Sequence, residues 1–141
     1  MTSITTDHAV FSVDFDATSA YYTTHAVCGC AYCRNLYAQI QDRYPQLDAF
    51  LSEFGVDIRR PDEAASLENP DSVDYLFVGY TVAGTMEAEG RYETEIGPLH
   101  VTVSRGDNPR YWFPNEQTGP CFFISVSGIS LPWVLPETFP G

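Results

Sequence analysis

The sequence predicts an α+β fold: a two-helix pair packed on a mainly antiparallel sheet, in the order β-α-α-β-β-β-β. Three observations carry this expectation. A period-two alternation of apolar and polar residues precedes any helical pattern. Two consecutive stretches then place apolar residues at helical spacing. Period-two alternation returns after them and continues, so helices are segregated from a run of strands instead of alternating with it.

The opening strand is read over Ala9 to Phe15, where Phe11, Val13 and Phe15 alternate with Ser12, Asp14 and Asp16. A polar stretch containing Tyr21 and Tyr22 follows, and leads to a cysteine cluster. The first helix is read over Ala31 to Arg43, because Cys33, Leu36, Tyr37, Ile40 and Tyr44 form one apolar stripe. Pro45 ends it by pushing Tyr44 out of the α region, and then opens a second helix, where its missing N–H costs nothing. Leu47, Phe50, Leu51 and Phe54 repeat the helical spacing, and Gly55 stands where a terminating glycine is wanted. These two helices should bury Leu36, Ile40, Phe50, Leu51 and Phe54 against the sheet.

Residues 57–74 read as an acidic connector with one short helical turn near Asp62 to Leu67. Strands resume at Tyr75, with Leu76, Val78, Tyr80 and Val82 expected on one face. Glu87-Ala88-Glu89-Gly90 has the composition of a hairpin turn, with Tyr92, Thr94 and Ile96 on the return strand. Gly97-Pro98 turns again into a strand carrying Leu99, Val101 and Val103. A loop from Arg105 to Gln117 has Tyr111, Trp112 and Phe113 at its centre, and Phe122, Ile124 and Val126 mark a last strand. The tail, residues 131–141, carries Pro132, Pro136 and Pro140, which exclude a helix or a central strand. Trp133, Leu135 and Phe139 are expected to strap it over the surface.

A chain of 141 residues with 44% hydrophobic and 14% aromatic residues is long and apolar enough for one packed core, so residues 1–141 are read as a single domain. Nineteen acidic residues against seven basic ones give a net charge of -12. All the basic residues are arginine, and Arg59-Arg60 is the one adjacent pair. Without a basic stripe to displace phosphate counterions, DNA, RNA and anionic membrane surfaces are poor partners. A basic protein suits this charge, as does simple solubility. The first fifteen residues have no basic region followed by an apolar run, and no apolar run approaches the roughly 20 residues that span a bilayer. The expected location is therefore the cytoplasm, where thiols stay reduced.

Three of the four cysteines fall in His25-Ala-Val-Cys28-Gly-Cys30-Ala-Tyr-Cys33. One reading is a structural zinc site. Zinc takes four tetrahedral ligands, commonly thiolates and imidazole, and Gly29 lets a short loop wrap an ion. Cys28, Cys30 and Cys33 are the candidate ligands and His25 the candidate fourth, with Cys121, His8 and His100 as alternatives. A second reading is redox chemistry by Cys30-Ala-Tyr-Cys33, a C-x-x-C at a predicted helix start that favours a thiolate. The segment does not follow a buried parallel strand, as a thioredoxin-like motif would. The third reading is simple packing, since cysteine is a small hydrophobe and Cys33 lies on the apolar stripe. Elsewhere, Glu87, Glu89, Glu93 and Glu95 read as a solvated turn, and Tyr111, Trp112 and Phe113 as packing under a loop or as an aromatic protein-binding surface.

The segments 28–35, 44–51, 54–57, 60–63 and 131–135 resemble an uncharacterised family of small bacterial proteins, with the Cys-x-Cys-x-x-Cys-x-Asn block the most specific. The resemblance implies a bacterial domain that stands alone, and brings no activity with it. The sequence thus points to a non-enzymatic cytoplasmic domain that holds one structural zinc and binds a protein. The alternative is a thiol-dependent oxidoreductase.

Overall fold

A computed structural model describes residues 1–88 and 91–140. It is an α+β fold. The strands are β1 (Thr2–Thr5), β2 (Ala9–Val13), β3 (Glu63–Glu68), β4 (Ser72–Ala88), β5 (Tyr92–Ile96), β6 (Leu99–Arg105), β7 (Cys121–Ser127) and β8 (Ile129–Pro132). Between β2 and β3 lie α1 (Phe15–Thr24), α2 (Ala31–Arg43) and α3 (Pro45–Ser52). All pairings are antiparallel, in the order β1-β2-β4-β7-β6-β5, with β3 and β8 also pairing with β4.

The helical pair forms where the spacing places it. In α2, Cys33, Leu36 and Ile40 are buried, and in α3 Leu47 and Leu51. Phe54 is buried just beyond α3, whereas Phe50 is only partly so. Gly55, at φ 82°, closes α3 in Schellman geometry. Its own N–H donates to Ser52 O and that of Val56 to Leu51 O.

The opening strand ends at Val13, two residues earlier than its alternation suggests. Asp14 caps α1 by accepting the Ala17 N–H at 3.1 Å, so Phe15 is helical. The stretch around Tyr21 and Tyr22, read as polar and assigned no helix, is that helix. Its weak amphipathicity hid it, because α1 is held by hydrogen bonds to a sheet edge. Strand β3 covers one edge of β4 over residues 73–79 and β2 covers the same edge over 84–88. Helix α1 fills the gap between them. The Tyr22 hydroxyl donates to Thr81 O at 2.8 Å and accepts the Thr81 N–H at 2.9 Å. Thr18 Oγ1 accepts the Ala83 N–H at 3.1 Å, and the Asp14 N–H donates to Ala83 O at 2.9 Å. Backbone groups that neither strand reaches are thereby paired.

Three further expectations are corrected. Residues 63–68 form strand β3 and not a helical turn, since pairing with an otherwise open edge outweighs the local preference of Ala64, Ala65 and Leu67. Leu76 does not share a face with Val78, Tyr80 and Val82; it is 57% exposed, while Val73 and Tyr75 are buried. The facing of β4 slips at Leu76–Phe77, opposite a bulge in the β3 pairing. The strand across from it breaks at Gly128 (φ 97°), between β7 and β8. Strand β5 does not return along β4: β7 occupies that edge and β5 pairs with β6, through the Gly97-Pro98 turn with Gly97 at φ 58°. Of the turn read at Glu87 to Gly90, Glu89 and Gly90 lie outside the described residues.

One apolar cluster joins the sheet to the helical pair. Phe11 is central to it, with ring centroids 5.5 Å from Phe54, 5.5 Å from Phe122 and 5.7 Å from Tyr92. The tail runs as β8 at an edge of β4 and then lies over the surface, with Trp133, Leu135 and Phe139 half-buried.

Candidate metal centre

The cysteine loop, residues 26–30, joins α1 to α2. Cys30 is the N-cap of α2 and Cys33 sits in its first turn. The loop curls back so that the Cys30 N–H approaches Cys28 Sγ at 3.4 Å. The three sulfurs of Cys28, Cys30 and Cys33 lie within 4.8 Å of one another, close enough to hold a metal ion. Thiolates sharing one zinc at about 2.3 Å stand about 3.8 Å apart, so a small closure of the loop suffices. Cys28 and Cys30 are exposed, Cys33 is buried, and all are free thiols.

Their acidities diverge. Burial works against ionisation of Cys30, but the N–H groups of Cys33 and Tyr32 and the thiols of Cys28 and Cys33 together hold it below the ordinary thiol value. Burial, and then hydrogen bonds to the other two thiols, push Cys33 well above that value.

The loop is anchored from three sides. Tyr37 Oη donates to Cys28 O at 2.9 Å, Arg34 Nε donates to Gly29 O at 2.9 Å, and the Ala26 N–H donates to Glu116 Oε2 at 2.7 Å. One turn along α2, the buried Asn35 accepts the Val134 N–H at 3.0 Å and donates to Pro132 O at 3.1 Å. Gln39 donates to the same Pro132 O at 2.8 Å. The helix that begins with the cysteines therefore also clamps the tail. Tyr75, whose burial pushes its phenol up to about 12, donates to Tyr32 O at 2.6 Å. Sequence reading passed over Asn35 and Gln39 as site residues. The signal available was their i, i+4 spacing beside the apolar stripe.

His25 is not brought to the cysteines. It is buried beneath α1, stacked on Tyr21 at 4.5 Å, with Nδ1 2.9 Å from Tyr21 O and Nε2 2.8 Å from Arg60 O. Both ring nitrogens face carbonyl oxygens, which leaves no lone pair directed at a metal. Asp62 lies 3.9 Å from Nε2 and accepts hydrogen bonds from the Tyr21 and Thr81 hydroxyls. Tyr21, Asp62 and Thr81 escaped the sequence reading because they come from three separate elements.

The alternative fourth ligands are elsewhere as well. His8 is exposed in the β1–β2 turn, and Cys121 opens β7 beside Gly106. His100 on β6 is bound by Glu93 and Glu95 of β5, whose carboxylates raise its pKa. The aromatic trio lines one groove with unequal exposure. Phe113 is buried against Gly79 and Phe123, Trp112 is 57% exposed, and the Arg91 and Arg110 guanidiniums each lie 5.7 Å from the Tyr111 ring centroid. A groove of about 300 Å³ runs between these residues, Phe77 and Ser125.

No family model, curated protein or solved structure matches the chain. Among the described residues, no helix is long and apolar enough to cross a membrane.

Proposed function

We propose that Cys28, Cys30 and Cys33 bind one zinc ion, and that the protein is a non-enzymatic bacterial domain acting by contact with another protein in the cytoplasm. The observation that carries the metal reading is the convergence of the three sulfurs within 4.8 Å at the start of α2. The helix N-terminus offsets the charge that three thiolates bring. Zinc would tie the α1–α2 loop to the helix that clamps the tail, a structural role. Protein purified without chelator is expected to carry zinc at one equivalent per chain, and to lose thermal stability when a chelator strips it. Sub-stoichiometric metal together with unchanged melting after chelation would refute the reading.

One observation favours a second reading. Cys30 is exposed with a lowered pKa and Cys33 is buried with a raised one, the division of labour of an attacking and a resolving thiol. The two readings separate at Cys28. Cys28→Ser removes a metal ligand but leaves a Cys30–Cys33 pair able to cycle between thiol and disulfide.

The net charge of -12 supports a basic protein as the partner, attracted at long range. Trp112, more than half exposed beside the groove, is the natural anchor. A basic protein retained by the immobilised chain at low salt and released at high salt is the expected result. Retention that ignores salt, or no retention, argues for charge serving solubility alone.

A further inference from the structure

We propose that a metal held by Cys28, Cys30 and Cys33 keeps its fourth coordination position open to solvent and accepts an external thiolate there. The inference rests on the metal reading above and adds the chemistry of the remaining ligand.

Closed structural zinc sites take four protein ligands, whereas three protein ligands leave a place for water or an incoming molecule. Here the described residues supply three. The cysteines form the one group of potential metal ligands that converges among the described residues. His25 points both ring nitrogens at carbonyl oxygens. The three carboxylates hydrogen-bonded to the loop and the first turn of α2 are engaged: Glu116 accepts the Ala26 N–H at 2.7 Å, Glu68 accepts from the Tyr32 hydroxyl at 2.6 Å, and Glu137 forms a two-pronged ion pair with Arg34.

The uncovered side of the sulfur triangle faces water. Cys33 forms its buried corner, while Cys28, Gly29 and Cys30 are all exposed. A side chain built on Gly29 would meet nothing within 4 Å, so the loop has free space above it. A metal seated on the triangle would be held from the protein side and reached from the other. An ion already bound by three thiolates is soft, and soft donors rank above water or carboxylate for the last position. In the exchange, bound water leaves, the incoming thiol gives its proton to solvent, and no electron is transferred.

The test uses the full chain reconstituted with cobalt(II), kept reduced by a phosphine so that no thiol is present beforehand. 2-Mercaptoethanol is then titrated in while the sulfur-to-cobalt charge-transfer band and the cobalt d–d bands are followed. The expected result is a saturable rise of the charge-transfer band by about one third, the ratio of four sulfurs to three. X-ray absorption of the zinc form should show three sulfurs and one oxygen before the thiol and four sulfurs after it. A tetrahedral cobalt spectrum that ignores the thiol, with a nitrogen as fourth donor, would overturn the inference and leave the metal reading standing. Failure of cobalt and zinc to bind would overturn both.

Discussion

Phe54→Ala is expected to destabilise the protein by about 3–5 kcal/mol, among the largest effects of any single truncation. Phe54 is fully buried just beyond α3 and makes edge contacts with Phe11 at 5.5 Å and Phe122 at 6.0 Å. Those two rings belong to β2 and β7, so Phe54 joins the helical pair to both sides of the central strand β4. Its removal leaves a hole lined by rings that are themselves fixed in the sheet, and such a site collapses poorly. Phe50, which touches Phe54 at 5.2 Å but is only partly buried, should cost clearly less on truncation. Urea denaturation of both variants checks this. Equal midpoint shifts for the two would show that Phe54 does not hold the position described.

Tyr22→Phe is expected to cost about 1–3 kcal/mol for each backbone group it orphans. The change removes one oxygen and nothing of the ring, so packing is preserved. That oxygen serves both the N–H and the carbonyl of Thr81, on the stretch of β4 edge that β2 and β3 leave uncovered. Loss of the hydroxyl leaves a buried donor and a buried acceptor without partners. Amide exchange gives the sharper readout: protection of Thr81 should fall by more than that of Val101, in the middle of β6. The hypothesis that α1 completes the sheet fails if Tyr22→Phe matches wild type in both stability and Thr81 protection. Tyr111→Phe, at the surface loop, serves as the near-neutral comparison.

Both predictions rest on parts of the molecule that the sequence disclosed unequally. Residue spacing alone determined α2 to its observed ends, because Cys33, Leu36 and Ile40 must share one face and the Tyr44-Pro45 step must end the helix. The start of α3 at Pro45, the stop at Gly55 and the strands around Val101 and Ile124 follow from equally local causes. The proximity of the three cysteine sulfurs was legible for the same reason: six residues at a helix start cannot carry their side chains far apart.

Tertiary structure decided what depends on partners distant in the chain. Helix α1 exists to satisfy β4, and β3 is a strand because β4 offers it an edge. Leu76 is exposed because a bulge against β3 reverses the facing of the strand, which no pattern inside residues 72–88 announces. His25 stands three residues from Cys28, yet Arg60 and Asp62, more than thirty residues later, set where its nitrogens point. Period and capping act over a few residues and can be read from the chain. The pairing of backbone edges and buried polar atoms is settled between segments far apart in sequence, by which of them reaches an unsatisfied hydrogen-bonding group first in space.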